Sequence, residues 1–206
     1  MSSAKQFYER YWDAGPVAPY QDPFTEERVK RFCAVASRGL HVLDIGCGRG
    51  QATRLLREVG NRVVAMDIAH EPVMRARQQD RSGVYLQACC DAPLPFPANC
   101  FDAVYSAEVI EHLLDPETMV RECYRILKPS GVLFVTTPYH GLIKNLVLVA
   151  AAFDWHFNPT GAHVRFFSEN SLRALLLRNG FAVDRFFHLG RFWPVWMDMA
   201  VYARKR

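Results

Sequence analysis

Three glycines at alternate positions are the first sign of a ligand-binding site in this sequence. Gly46, Gly48 and Gly50 follow a short apolar run that contains Asp44. Glycines at this spacing permit a tight turn and let backbone N–H groups come close to a ligand. Asp67 closes the next apolar run, where a carboxylate can accept hydrogen bonds from both hydroxyls of a ribose. The pattern therefore predicts a nucleoside site.

The glycine spacing also bears on which nucleoside is bound. Enzymes that bind dinucleotides favour Gly-x-Gly-x-x-Gly, whereas this chain has Gly-x-Gly-x-Gly preceded by Asp44. An acid at this position could pair, directly or through water, with an ammonium group. That arrangement suits an aminoacyl nucleoside better than a pyrophosphate, and a nicotinamide-dependent oxidoreductase is the alternative.

Alternating strand and helix patterns must position these residues. Strand-like runs cover 40–45, 62–67, 84–88, 101–106 and 131–137, and helical patterns cover 51–59, a segment opening near 71, and 115–128. This alternation predicts a parallel sheet covered on both faces. After a break that begins at Pro138, a helix is predicted between Ser168 and Asn179. Two final strands, 181–189 and 197–204, have a connection short enough for an antiparallel hairpin.

A series of motifs then follows in a set order along the chain. The motifs are Asp44 to Gly50, Asp67-Ile68, Cys90-Asp91-Ala92, Leu94-Pro95-Phe96 with Phe101-Asp102, Glu108 to Leu113, and Arg125 to Gly131. Together they resemble the class I S-adenosylmethionine-dependent methyltransferases, over about residues 38–137 and more loosely over 163–204. The resemblance implies a Rossmann-like, doubly wound α/β fold with a mostly parallel seven-stranded sheet whose last strand is antiparallel. It also implies S-adenosyl-L-methionine as cofactor and S-adenosyl-L-homocysteine as product.

The resemblance implies a contact for each part of this cofactor. The contacts are Asp44, Gly46, Cys47 and Gly48 at the methionine part, Asp67 at the ribose, Ile68, Asp91 and Ala92 at the adenine, and Ala107 and Glu108 near the sulfonium. Asp67 and Asp91 could instead be ordinary strand-end caps. Glu108, Glu111 and His112 could likewise be polar caps at the start of a helix.

An N-terminal aromatic cluster, Phe7-Tyr8-x-x-Tyr11-Trp12, resembles the lid that many small-molecule methyltransferases place over the cofactor. In this interpretation Tyr11 contacts the cofactor and Trp12 contacts the acceptor. The alternative is a helix that packs its aromatic side chains on the core. We expect a single domain divided into a helical lid (1–37), a cofactor-binding core (38–137), an acceptor-side insertion (138–167) and a C-terminal helix and hairpin (168–206).

The insertion holds the candidates for catalysis. A hydroxyl acceptor needs a base, most often His, and His140 is the first candidate and His163 the second. Acceptor binding is assigned to His112, Tyr139, His156 and Trp12. Each histidine could instead be structural. No metal is predicted, because the group made by His140, Asp154, His156 and His163 has no tight ligand pair such as HExxH.

Composition and charge exclude several classes of protein. The 206 residues are 50% hydrophobic and 22% charged, with a net charge of +4, which is typical of a globular domain. The one short basic run is Arg204-Lys205-Arg206, and residues 106–109 lack the Asn/Asp-Pro-Pro-aromatic motif of methyltransferases that act on nucleic-acid bases. No nucleic-acid partner is therefore predicted.

No signal peptide is evident, and the apolar run 142–153 is too short to cross a bilayer. We therefore expect a soluble, cytoplasmic protein without a transmembrane segment, either monomer or homodimer. The run is predicted to be a lid helix that buries its apolar face on the domain, and peripheral membrane contact is the alternative.

These patterns predict an enzyme of biosynthesis that moves a methyl group from S-adenosylmethionine to a small-molecule acceptor by in-line displacement. Oxygen is the preferred nucleophile, because Glu111-His112 and His163 to Ser168 extend the resemblance to quinone-biosynthesis and natural-product O-methyltransferases. Methylation of N, S or C in a small metabolite or a lipid-like quinone precursor is the alternative. A non-catalytic module that binds S-adenosylmethionine is the alternative from another class.

Overall fold

Strands and helices alternate through most of the computed structural model, which describes residues 3–13, 22–151, 153 and 162–206. The strands are β1 (His41–Ile45), β2 (Arg62–Asp67), β3 (Val84–Gln87), β4 (Phe101–Ala107), β5 (Leu127–Pro138), β6 (Phe181–Leu189) and β7 (Asp198–Lys205). The α-helices are α1 (Ser3–Asp13), α2 (Thr25–Val35), α3 (Gln51–Glu58), α4 (His70–Gln79), α5 (Pro116–Ile126), α6 (Leu142–Ala151) and α7 (Glu169–Arg178), and a short 3-10 helix covers Ile110–His112.

The strands form one sheet in the order β3-β2-β1-β4-β5-β7-β6. The pairs from β3 to β5 are parallel, whereas β7 is antiparallel to both β5 and β6. Six strands therefore run one way and β7 runs the other, which confirms the predicted fold class. Ile45 of β1 lies opposite Met66 of β2 and Ser106 of β4, so the carboxyl ends of these strands meet at one edge. Ligands of open parallel sheets bind at that edge.

Two apolar clusters cover the two faces of the sheet. Val42 belongs to one cluster and Leu43 to the other, because successive strand residues point to opposite faces. Helix α2 packs Phe32 into the cluster that contains Val42, and α7 packs Leu172 into the cluster that contains Leu43. The helices thus pack on both faces of the sheet and leave its carboxyl edge for the site.

The predicted start signals of two helices are confirmed. The Asp115 side chain accepts a hydrogen bond from Thr118 N at 3.2 Å and caps α5. Ser168 and Ser171 form a reciprocal capping box at the start of α7. Strand β5 begins earlier than expected, at Leu127, because Leu127 already pairs with Phe101 of β4.

Helix α6 departs from the sequence prediction. None of its residues is buried, and Leu142 and Leu146 are 76% and 60% exposed. The prediction that this helix buries its apolar face on the domain is therefore wrong. Hydrophobicity indicated a helix that packs on the core, whereas the apolar side chains of this helix are exposed. Within the described residues, no helix is long and apolar enough to span a membrane.

Candidate active site

The glycine turn after β1 depends on left-handed backbone angles. Gly46, Gly48 and Gly50 have φ values of +74°, +51° and +77°, which glycine adopts without strain. Gly46 N and Cys47 N both donate to Met66 O of β2, at 2.8 and 3.0 Å. A Cβ atom added to Gly46 would overlap the Val109 side chain. The sequence therefore needs glycine here for both conformation and space.

Asp67 fastens this turn to the end of β2. One carboxylate oxygen accepts a hydrogen bond from Gly48 N at 3.0 Å, and the other accepts from Ala69 N at 2.9 Å. Burial raises the pKa of Asp67, and these backbone bonds oppose that rise. Each carboxylate oxygen has a second lone pair, so the group could also accept from ribose hydroxyls. Ile68 follows it, and its carbonyl accepts a hydrogen bond from the Gln87 side chain at 3.0 Å.

Asp44 lies beneath the turn. Its carboxyl group is buried and accepts a 2.6 Å hydrogen bond from the hydroxyl of Thr53 in α3. Burial raises its pKa to about 7, against the effect of the Thr53 hydrogen bond. Burial likewise raises the pKa of the neighbouring Cys47 thiol. The contact of Asp44 with a cofactor ammonium stays a prediction.

Asp91 and Ala92 follow β3 and are half-buried. The Cys89 thiol donates to the Asp91 carboxylate. Ala88 N donates to Asp67 O at 2.9 Å, which ties the end of β3 to the end of β2. The residues predicted for the ribose and the adenine therefore sit at neighbouring strand ends.

Helix α1 lies over these strand ends. Glu9 accepts hydrogen bonds from His70 N at 3.0 Å and from the Gln87 side chain at 3.1 Å. Trp12 lies against the glycine turn, about 3.4 Å from where a Cβ of Gly48 would stand. Tyr11 is 56% exposed. Helix α1 therefore covers part of this edge, and its predicted role as a lid and the roles predicted for Tyr11 and Trp12 stay predictions.

A buried ionic group occupies the ends of β4 and β5. Glu108 directly follows Ala107, the last residue of β4, and has a positive φ of 55°. Its carboxylate accepts a 2.8 Å hydrogen bond from the Thr136 hydroxyl. The guanidinium of Arg28 lies 3.4 Å from Glu108 and 2.6 Å from Asp198.

Glu111, His112 and His163 form a second polar group. Glu111 is 1% exposed, and neither of its carboxylate oxygens has a hydrogen-bond partner among the described residues. Burial raises its pKa and lowers the pKa of His112 to about 4. His112 Nδ1 lies 2.9 Å from Ala162 O. A carbonyl oxygen can only accept, so Nδ1 carries the proton and Nε2 holds a lone pair.

This second group also presents possible metal ligands. One ligand atom from each of its three residues lies within 4.8 Å of the others. Zinc bound tetrahedrally with bonds of about 2.1 Å would need ligand atoms about 3.4 Å apart. The side chains would therefore have to move together to hold such an ion. The sequence prediction of no metal stays untested.

His140 lies just after β5 and is buried. Its Nδ1 is 3.1 Å from the Asn145 side-chain oxygen, and its ring packs against Phe166 at 4.9 Å between centroids. Tyr139 packs edge-on against His188 and Trp196. His163 is exposed and adjoins His112 instead, with ring centroids 4.8 Å apart. His156 and Asp154 lie outside the described residues.

Comparisons with known proteins agree with this arrangement. A family described as a methyltransferase domain matches residues 43–135. The mitochondrial ubiquinone biosynthesis O-methyltransferase of Bos taurus is 30% identical over 197 residues, covering 85% of this chain and 53% of that protein. A protein of Mycolicibacterium smegmatis named as an S-adenosylmethionine-dependent methyltransferase is 33% identical over 181 residues, covering 85% of this chain and 61% of that protein.

The chain belongs to the class I S-adenosylmethionine-dependent methyltransferases. A solved structure of such a methyltransferase from Mesorhizobium loti has a TM-score of 0.70 and 22% identity, covering 89% of this chain and 99% of that one. This likeness concerns the fold. The chain spans between half and two thirds of the length of the two curated relatives.

S-adenosylmethionine is the cofactor of this family, and the described residues of the methyltransferase fit it. The glycine turn presents backbone N–H groups at the carboxyl edge, and the Asp67 carboxylate, the group predicted for the ribose, accepts a hydrogen bond from Gly48 N there. A cationic sulfonium also suits an edge at which the Glu108 carboxylate pairs with Arg28. The assignment of each predicted residue to a part of the cofactor stays a proposal.

Four residues of the methyltransferase site carry no signal in the sequence. Arg28 and Glu9 lie on N-terminal helices without a motif, and Asp198 opens β7. Glu169 lies in the first turn of α7 and reaches His188 Nε2 at 2.8 Å. Each contact joins residues far apart in the chain, so local spacing could not reveal it.

Proposed function

We propose that this protein transfers the methyl group of S-adenosylmethionine to an oxygen nucleophile of a small-molecule acceptor by in-line displacement. The hydrogen bond from Gly48 N to Asp67 carries the proposal. It joins the turn after β1 to the acid that ends β2, so the two elements that would hold the nucleoside are fixed relative to each other. Holding nucleophile, methyl carbon and sulfur in line then supplies much of the acceleration.

Aromatic side chains support a planar or apolar acceptor. Tyr8 of α1 packs edge-on against His112, with ring centroids 5.9 Å apart. Further along the same edge, His188 stacks on Trp196 at 4.0 Å beside Tyr139. Flat rings favour such surfaces. A phenol or quinone precursor fits, and the bovine relative is named for ubiquinone biosynthesis.

His140 is the proposed general base, with His163 second. Asn145 Oδ1 lies 3.1 Å from His140 Nδ1, and a side-chain acceptor at this distance orients the imidazole ring. His112 is less suited, because its low pKa of about 4 makes it a weak proton acceptor. His112 and Tyr139 are instead proposed to contact the acceptor.

The exposed face of α6 supports a further proposal about partners. Leu142 to Ala151 contains one cation, Lys144, and no acid, and the neighbouring hairpin exposes Phe192 and Trp193 beside Arg191. Lys144 Nζ donates to Met197 O at 3.1 Å, so helix and hairpin adjoin. Apolar and aromatic side chains among cations suit an anionic membrane surface. We propose peripheral membrane contact here, which would bring the site to lipid-like acceptors.

Calorimetry and a methyl-transfer assay test the proposed activity. We expect S-adenosylhomocysteine to bind at micromolar or tighter concentrations and NAD not to bind, and the assay should show transfer to phenols in preference to sugars or thiols. Binding of NAD without S-adenosylhomocysteine would contradict the proposal and favour an oxidoreductase. Cofactor binding without turnover on any acceptor would favour a non-catalytic module.

A further inference from the structure

Arg28 stands at the centre of a buried ionic cluster. It is 3% exposed and contacts three carboxylates from different parts of the fold. Asp22, which precedes α2, forms an ion pair with Arg28. The Arg28 guanidinium lies 2.6 Å from a carboxylate oxygen of Asp198, the first residue of β7, and 3.4 Å from one of Glu108, which follows β4. A guanidinium suits this place because its planar fork can donate to several oxygens at once.

The carboxyl groups of the cluster outnumber its cations. Arg28 and Lys144 act electrostatically on Glu108 and Asp198, while Asp22 adds a further negative charge. Glu108 in turn raises the pKa of Glu111 of the 3-10 helix. Burial raises the pKa of Glu108 to about 7, and Arg28 is the largest influence that lowers it. The charge on Glu108 at neutral pH therefore depends on Arg28.

Glu108 is the most exposed carboxylate of the cluster, and it directly follows β4 at the carboxyl edge of the parallel strands. Its side chain is 25% exposed, against 23% for Asp22, 9% for Asp198 and 4% for Arg28. The Thr136 hydroxyl fixes its carboxylate, and its own amide donates to Thr136 O at 3.1 Å. A left-handed backbone is unfavourable at a glutamate, and these bonds offset that cost. The two hydrogen bonds to Thr136 therefore fix both the backbone and the carboxylate of Glu108 at the end of β4.

We infer that Arg28 is a positioning residue that holds the Glu108 carboxylate in place and ionised beside the cofactor's sulfonium. The inference rests on the proposed function. S-adenosylmethionine carries a positive sulfonium, whereas S-adenosylhomocysteine is a neutral thioether. An ionised Glu108 therefore favours the substrate cofactor over its product, and Arg28 sets the pH range in which this preference holds.

The test measures the ratio of the two cofactors' dissociation constants by calorimetry across about pH 5.5 to 9. In the wild type, the preference for S-adenosylmethionine should fall as pH drops through the pKa of Glu108. Arg28→Lys loses the bridging fork, and we expect its midpoint to rise by about one pH unit, a tenfold change in proton affinity. Glu108→Gln should abolish the pH dependence.

Arg31→Lys is the matched control, since Arg31 lies on the same helix and pairs with Glu27 at the surface. It should leave the midpoint unchanged. Thermal melts will show whether each variant is folded, and the wild-type and Glu108→Gln profiles remain decisive if Arg28→Lys is not. Identical midpoints in folded Arg28→Lys and wild type, or a pH-dependent preference that persists in Glu108→Gln, would overturn the inference. Absence of cofactor binding by the wild type would instead contradict the proposed function.

Discussion

The cofactor side and the acceptor side of the sheet edge hold their acidic groups in different ways. On the cofactor side, Asp67 accepts from two backbone amides, Gly48 N and Ala69 N. At the ends of β4 and β5, where the acceptor is proposed to approach the cofactor's sulfonium, Glu108 depends on the side chains of Arg28 and Thr136. Backbone donors stay in place whatever the neighbouring side chains are, whereas a side-chain partner can be altered by one substitution. The cofactor side is therefore fixed by the fold, and the acceptor side is adjustable.

The two sides also differ in the solvent exposure of their apolar side chains. Leu43 of β1 is fully buried, whereas Leu146 of α6 is 60% exposed. A rigid nucleoside site needs a closed core beneath it. An acceptor site that admits varied or lipid-like molecules can leave apolar side chains in water. Substitutions in each region test whether the two differ in this way.

The largest effect is expected from the glycine turn. In Gly46→Ala the new Cβ would overlap Val109 at a φ of +74°, so we expect a loss of about 3 kcal/mol in the free energy of unfolding and loss of cofactor binding. Gly39→Ala is the control, because Gly39 has a φ of +77° with nothing within 4 Å. Urea unfolding should show a loss of only about 1 kcal/mol there. Equal losses in both variants would mean that the turn is not tightly packed.

Replacing Asp67 should weaken the cofactor strongly. Asp67→Ala removes two proposed hydrogen bonds between a charged group and the ribose, so we expect about a 100-fold rise in the dissociation constant for S-adenosylhomocysteine. Asp184→Ala, which breaks an exposed ion pair with Arg204, serves as control. Calorimetry measures both. Unchanged affinity in Asp67→Ala would remove this residue from the site.

The base on the acceptor side should affect turnover but not cofactor affinity. His140→Ala should lower kcat about 100-fold at saturating S-adenosylmethionine. The dissociation constant for S-adenosylhomocysteine should stay the same, because His140 follows β5 and packs against Asn145 and Phe166. His41→Ala is the control, because His41 begins β1 at the end of the strand away from the glycine turn. It should leave kcat unchanged. Full turnover by His140→Ala would leave His163 as the remaining candidate.

The smallest effect on stability is expected in α6. Leu146→Glu should change the free energy of unfolding by less than about 0.5 kcal/mol, because the side chain is already exposed. It should reduce sedimentation of the protein with vesicles that contain anionic lipid. Leu43→Ala, in the core, should cost about 3 kcal/mol. Equal vesicle binding by wild type and Leu146→Glu would argue against membrane contact through this face.

Local signals in the sequence determined the order of elements and the cofactor turn. Alternating apolar runs, the caps at Asp115 and Ser168, and the glycines from Gly46 to Gly50 act over a few residues, so they can be recognised without the fold. They predicted a parallel sheet followed by an antiparallel hairpin, and the family resemblance implied seven strands with the last one reversed. The sheet confirms both. They could not predict that α6 stays exposed, since hydrophobicity does not show whether a packing surface exists.

Contacts between side chains that are far apart in the sequence are seen only in the folded structure. Arg28 and Asp198 are brought together from the two ends of the chain, and Glu9 reaches His70 N only because α1 crosses the strand ends. Such contacts depend on the sheet order and on helix docking, which no spacing along the chain encodes. Local patterns in the sequence therefore predicted the family and the glycine turn with Asp67 at the end of β2. The charged cluster of Arg28, Glu108 and Asp198 comes from long-range packing.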